Sequence, residues 1–116
     1  MIVRHFLEVE PKEFTDQAKG VNIRVVIGEQ EGAFNFVMRV FELDPGGYTP
    51  RHAHPWEHEV FVLGGQGEVI AQGKSHRLKQ GDTVFIPGGE EHQFLSSVGS
   101  SLKFICIIPR PPDKKS

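Results

Sequence analysis

One cysteine, Cys106, stands alone in the chain, so no intramolecular disulfide can form. A bridge framework of the kind that staples small secreted domains is excluded, and a lone thiol suits a reducing cytoplasm. Long apolar runs are also missing. No segment approaches the roughly 18 apolar residues that span a bilayer, so no membrane partner is expected. The opening stretch MIVRHFLEVEP carries acidic residues at 8 and 10 and no sustained apolar run, and no signal peptide is expected there. Neither sign of charge dominates. A net charge of −2 over 116 residues offers no basic face for nucleic acid or anionic lipid. Helical patterning is scarce as well: no window keeps an apolar stripe at helical spacing for three turns, and residues 11–19 alone have room for a short helical turn, with Pro11 at a favourable first position.

What the chain does have is punctuation. Thirteen glycines and eight prolines divide it into short apolar runs. Residues 21–27, 36–43, 59–63, 68–71, 83–86 and 102–108 are rich in β-branched and aromatic side chains and read as strands. Residues 44–47, 64–67, 73–75, 81–82 and 87–89 read as turns between them. Many short strands with almost no helix predict an all-β sandwich or small barrel. The length suits one domain over residues 1–110, with 111–116 a flexible C-terminal tail. The first segment, 2–7, and the run 21–27 are expected to offer strand edges to a second copy of the chain.

Histidine carries the chemistry. His52 and His54 are separated by one residue, and Pro55 biases His54 towards extended backbone. On an extended segment, side chains two apart share a face, so both imidazoles can reach one ion at about 2.0–2.2 Å. Two histidines on a surface loop are the alternative. Glu57, His58 and Glu59 follow closely, and His92 comes later, after a Pro-Gly turn.

Two spaced motifs make the pattern specific. Residues 46–65 resemble the first cupin motif, G(X)5HXH(X)3-4E(X)6G, beginning with Gly46, His52 and His54. Residues 81–96 resemble the second, G(X)5PXG(X)2H(X)3N, through Gly81, Pro87, Gly89 and His92, with Ser96 in place of the final asparagine. The motif's acidic position falls on His58 when the following glycine is Gly65; Glu59 is the alternative under the longer spacing. Strand alternation places His58, Val60 and Val62 on one face, opposite Glu59, Phe61 and Leu63.

The stretch at 55–59 resembles the small four-histidine manganese cupins. The resemblance implies a single-domain cupin jelly-roll β-barrel, commonly a homodimer, with one divalent metal ion on His52, His54, His58 and His92. Manganese is favoured, with iron, zinc, nickel and copper as alternatives. It also implies a small-molecule substrate at two open metal positions, with a dioxygenase-like oxidoreductase as the leading activity. A metal-dependent isomerase or decarboxylase and a non-catalytic binding module are the rivals. Four neutral ligands would leave the ion at 2+, well matched to an anion.

Around that site, Met38, Trp56, Phe94, Phe104, Cys106 and Ile108 are candidates for an apolar pocket wall. Alternation along 102–108 turns Phe104, Cys106 and Ile108 inward and Lys103 outward. Cys106 is either an inert buried thiol or a neighbour of the metal. Arg39 enters the pocket to grip a carboxylate, lies on the outer face, or sits in a dimer interface; by alternation it cannot share a face with Met38. Glu57, Glu59, Glu90 and Glu91 are candidates to orient the ligating imidazoles. His5 and His76 lie apart from this cluster.

Overall fold

The computed structural model describes residues 1–110; the expected tail at 111–116 lies outside the described residues. Eight strands carry the chain: β1 Lys12–Phe14, β2 Lys19–Ile27, β3 Phe36–Tyr48, β4 His58–Ala71, β5 Lys74–Lys79, β6 Thr83–Ile86, β7 His92–Ser96 and β8 Leu102–Pro109. The only helical pieces among these residues are two three-residue 3-10 turns, Phe6–Glu8 and Glu29–Glu31.

All of the pairings are antiparallel, and two long strands organise them. The first half of β3 pairs with β8, and its last residue, Tyr48, pairs with Leu95 of β7. β4 repeats this division: residues 59–65 pair with β8 and 67–71 with β7. Each long strand therefore leaves one layer and enters the other. One layer runs β1, β2, β3, β8, β4, β6; the other holds β7, the far half of β4, and β5. This is the double-layered jelly-roll barrel expected from the sequence.

The corners are where the sequence reads as turns. Residues 44–47 and 64–67 lie inside β3 and β4, not between strands, so the expected strands 59–63 and 68–71 are one bent strand. Gly65, at φ 81°, sits beside a register shift between Val62 and Gly64. An added Cβ there would run into the carbonyl oxygen of Ser101, so β8 closes on the corner only because the residue is glycine. A strand that changes layers needs such a bulge.

Two expectations fail near the N-terminus. Residues 11–19 form no helical turn; they hold β1, which pairs with Val21, Asn22 and Ile23 of β2. Residues 2–7 form no strand. They lead into the first 3-10 turn, where the His5 side chain accepts from Leu7 N–H at 3.1 Å and Glu8 accepts from His5 N–H at 2.6 Å. In both cases the local signal is weak, and pairing with β2 or capping by a side chain decides the outcome.

The core lies between the layers. Phe104, Leu43, Ile86, Leu102, Val21 and Val62 are fully buried. Along β8, buried and half-buried residues alternate without a break, with Leu102, Phe104, Cys106 and Ile108 inside. Phe104 stacks on Phe41 (5.0 Å between centroids, 12° between planes) and lies against Phe94 at 4.6 Å. This aromatic stack forms one wall of the open end of the barrel.

Candidate metal centre

Four histidines meet at that open end, held by a bridge, a loop tie and the starts of two strands. His52 and His92 are cross-strand neighbours in an isolated antiparallel bridge, exchanging backbone hydrogen bonds at 2.9 and 3.2 Å. His54 is fixed by its own carbonyl, which accepts the Gly89 N–H at 2.6 Å, so the two motif loops are tied together. His58 opens β4 and His92 opens β7, and both are buried. Ring centroids are 4.3 Å apart for His52–His54, 4.7 Å for His58–His92, 5.1 Å for His52–His92 and 5.4 Å for His54–His58. The rings pack on one another, and His54 also stacks on Trp56 at 4.6 Å. Among the described residues, no three His, Cys, Asp or Glu side chains already stand in coordinating geometry.

The hydrogen bonds set the nitrogens. His92 Nδ1 lies 2.9 Å from the Glu90 carbonyl oxygen, which can only accept, so Nδ1 carries the proton and the Nε2 lone pair is free. His58 Nδ1 lies 3.5 Å from Cys106 Sγ, and its Nε2 is buried without a hydrogen-bond partner. The partners are therefore a carbonyl and a thiol. The candidate glutamates stand elsewhere: Glu57, Glu59 and Glu91 are exposed, and Glu91 accepts from Arg51 at 2.9 Å.

Burial also keeps His52, His54 and His58 uncharged. Desolvation, reinforced by the neighbouring histidines and Arg39, pushes His58 down to about 3 and His52 to about 4, and lowers His54. The Cys106 thiol is raised by burial against an opposing pull from Arg39. At neutral pH these three present neutral nitrogen donors, the form in which imidazole binds metal ions.

A cavity of about 280 Å³ opens beside the cluster. Of the residues the sequence suggests for its wall, Trp56, Phe94, Phe104 and Cys106 border it. Met38 does not: it points to the outer face, beside Ile27, Phe36 and Ile107, because residues on β3 alternate and Arg39 takes the inward position. Ile108 is buried in the core but does not border the cavity. Arg39, left open by the sequence, lines it. The sequence reading missed Phe14, Val21, Ile23, Phe41, Thr49 and Pro50. Alternation within VNIRVVI could have found Val21 and Ile23; Phe14 is reached only once β1 pairs there.

Ser96, at the motif position usually held by asparagine, has a definite task. Its Oγ accepts the Gly47 N–H at 2.9 Å and donates to the Asp44 carbonyl, holding the β3 corner against β7. Thr49 does likewise one step further on, accepting the Phe94 N–H at 2.9 Å. Neither role is readable from spacing.

A double-layered barrel with a histidine cluster at its mouth, fed by two spaced motifs, defines a class of small β-barrel proteins. Residues 39–108 match the cupin domain model, and the chain belongs to the cupin family. Over 97% of its length it resembles the polyketide cyclase RemF from Streptomyces resistomycificus, at 36% identity and a TM-score of 0.89, covering 82% of that chain. Among curated proteins it is 32% identical over 77 residues to 1-methylthio-D-xylulose 5-phosphate methylsulfurylase from Rhodospirillum rubrum, covering 66% of this chain and 49% of that one. It is 41% identical over 54 residues to dimethylsulfoniopropionate lyase DddQ from Ruegeria pomeroyi, covering 46% of this chain and 27% of that one. The chain spans about half the length, or less, of the curated relatives it matches. No helix among the described residues is long and apolar enough to cross a membrane.

Proposed function

We propose that this cupin holds one divalent metal ion on His52, His54, His58 and His92 and acts on a small enolisable carbonyl compound in the adjoining cavity. The observation that carries the reading is the Nε2 atom of His58, buried with no hydrogen-bond partner in a ring packed against the imidazoles of His54 and His92. A buried polar atom left unpaired costs about 1–3 kcal/mol, a cost that coordination would offset. The donor set fits: four neutral imidazoles suit zinc, iron, nickel and copper, and the resemblance to four-histidine cupins favours manganese. Such an ion supplies Lewis acidity to a carbonyl or enolate oxygen.

The protein's own residues do the rest. Cys106 and the Glu90 carbonyl orient two of the imidazoles, and Phe41, Phe94 and Phe104 offer a flat apolar wall that keeps water from the bound molecule. Likeness to a polyketide cyclase over nearly the whole chain supports proton-transfer and ring-closing chemistry ahead of the dioxygenase-type reading. The oxidative reading stands second, because the same donors suit redox-active iron and copper.

The test is α-proton exchange of phenylpyruvate in deuterated water, followed by NMR with protein loaded with zinc, manganese or iron. Exchange with zinc in the absence of oxygen, lost in His58→Ala, is expected. Oxygen uptake with iron or manganese alone, without exchange, would favour the oxidative reading, and no turnover with any of the three would overturn both.

We also propose a homodimer in solution. Ile2, Val3, Ile27, Phe34 and Phe36 are exposed apolar side chains, a surface that a second copy would cover. Sedimentation at micromolar concentration should give twice the chain mass; a monomer at all concentrations would refute it.

A further inference from the structure

We propose that Arg39 is the anion anchor of the cavity, and that the ligand it selects is a small carboxylate on a flat apolar body. This rests on the reading of the cavity as the ligand site and adds the ligand's charge and shape.

Arg39 enters from β3, directly across from Cys106 of β8. Its Nη2 donates to Cys106 Sγ at 3.2 Å, and its Nε is buried with no hydrogen-bond partner. Its guanidinium carbon lies 4.9 Å from the centroid of the Phe41 ring, so the aromatic wall holds the cation in place. A thiol is a weak acceptor. The guanidinium therefore faces the cavity with its donors poorly used.

Its situation differs from that of the four arginines that have ion pairs and from that of Arg77, which is exposed. Arg4 meets Glu31 at 2.8 Å, Arg51 meets Glu91 at 2.9 Å, and Arg24 pairs with Glu42. Among the described residues no ion pair includes Arg39, and no aspartate or glutamate borders the cavity. A half-buried cation without a counter-charge is costly, and a bound anion offsets that cost. One planar guanidinium matches one carboxylate through paired hydrogen bonds. Phe14, Phe41, Trp56, Phe94 and Phe104 line much of the rest with aromatic surface that suits a flat apolar body. A phosphate would find one arginine and no lysine there.

Trp56 is the sole tryptophan and borders the cavity, so its fluorescence reports binding. The probes are benzoate, benzamide and phenyl phosphate, titrated into zinc-loaded protein and again after chelation, with metal content measured throughout. Wild type is expected to bind benzoate about ten- to a hundred-fold more tightly than benzamide, the range for charge-assisted hydrogen bonds. That preference should persist after chelation, which separates Arg39 from direct binding to the ion. Arg39→Gln should bring benzoate down to the level of benzamide and leave benzamide and zinc content unchanged. Arg39→Lys, which keeps the charge without the planar fork, should lose most of the preference; it also supplies the answer if the glutamine variant does not fold. A preference that survives Arg39→Gln, that vanishes on chelation, or that phenyl phosphate exceeds would overturn the proposal. If phenylpyruvate exchange still requires the metal while benzoate shows no preference, the anchor alone fails. If none of the probes binds and phenylpyruvate exchange is absent as well, the cavity is not a ligand site and both readings fall.

Discussion

The Sγ of Cys106 stands 3.5 Å from Nδ1 of His58, inside the barrel. That contact leaves Nε2 buried without a hydrogen-bond partner, in a ring that packs against His54 and His92. Metal-ligating imidazoles ordinarily take a carboxylate, carbonyl or water at the second nitrogen, and losing that partner weakens metal affinity by about ten- to a hundred-fold. Cys106→Ala should therefore lower zinc affinity by about tenfold, measured by competition with a chromophoric chelator. Cys106→Ser, which restores an acceptor of similar size, should recover much of it. Equal affinity in all three proteins would reduce the thiol to packing.

His58 and Glu59 are adjacent in sequence but point to opposite sides of β4. His58 is buried among the histidines, whereas Glu59 is exposed on the outer face beside Met38 and Ile107. His58→Ala should strip most of the metal from protein as isolated, read by elemental analysis. Glu59→Ala should leave occupancy within error of wild type. The reverse result would return the ligand role to the glutamate and change the charge of the site.

Much of this arrangement is legible in the sequence because it depends on alternation and on two fixed spacings. The spacing to Gly65 favours His58 and the alternation of HEVFVL then puts Glu59 on the other face, while the alternation of LKFICII, with Lys103 outward, sends Phe104 and Cys106 inward. Alternation also states that Arg39 and Met38 cannot share a face, yet it cannot say which is inside; the pairing of β3 with β8 decides that. What stays hidden is whatever depends on the third dimension. A glycine-rich stretch looks the same in a loop and at a corner of a continuous strand. Whether residues 64–67 end a strand or bend one is settled by β7 and β8, which pair with successive halves of β4. Phe14 reaches the cavity through a three-residue strand whose local pattern carries no signal.

Those corners make glycine a test of the barrel's closure. Gly46 and Gly65 both sit at positive φ, 74° and 81°. An added Cβ at Gly46 meets nothing within 4 Å, whereas at Gly65 it collides with the backbone of Ser101 and Leu102. Gly46→Ala should cost only the left-handed backbone penalty, about 1–2 kcal/mol. Gly65→Ala must also separate β4 from β8 and should cost more, about 3–4 kcal/mol, at the upper end for single substitutions. Urea unfolding of the two variants side by side measures the difference, and equal losses would show that β8 yields at no cost.

The depressed histidines predict how the metal-free protein responds to acid. Imidazoles in the unfolded chain titrate near 6.5. In the fold, burial and neighbouring charge hold His58 near 3 and His52 near 4. Between those values and 6.5 the unfolded chain binds protons that the folded chain does not, so unfolding is favoured as pH falls. Stability should be level above about 6.5 and decline steadily from there towards pH 4. A bound metal opposes protonation of the same nitrogens, so the zinc-loaded protein should begin its decline at lower pH. Thermal midpoints from pH 7.5 to 4.5, with and without zinc, check both statements. His58→Gln, which removes the most depressed of these groups, should flatten the metal-free profile. A profile of the same slope in that variant would mean that acid acts on the fold elsewhere.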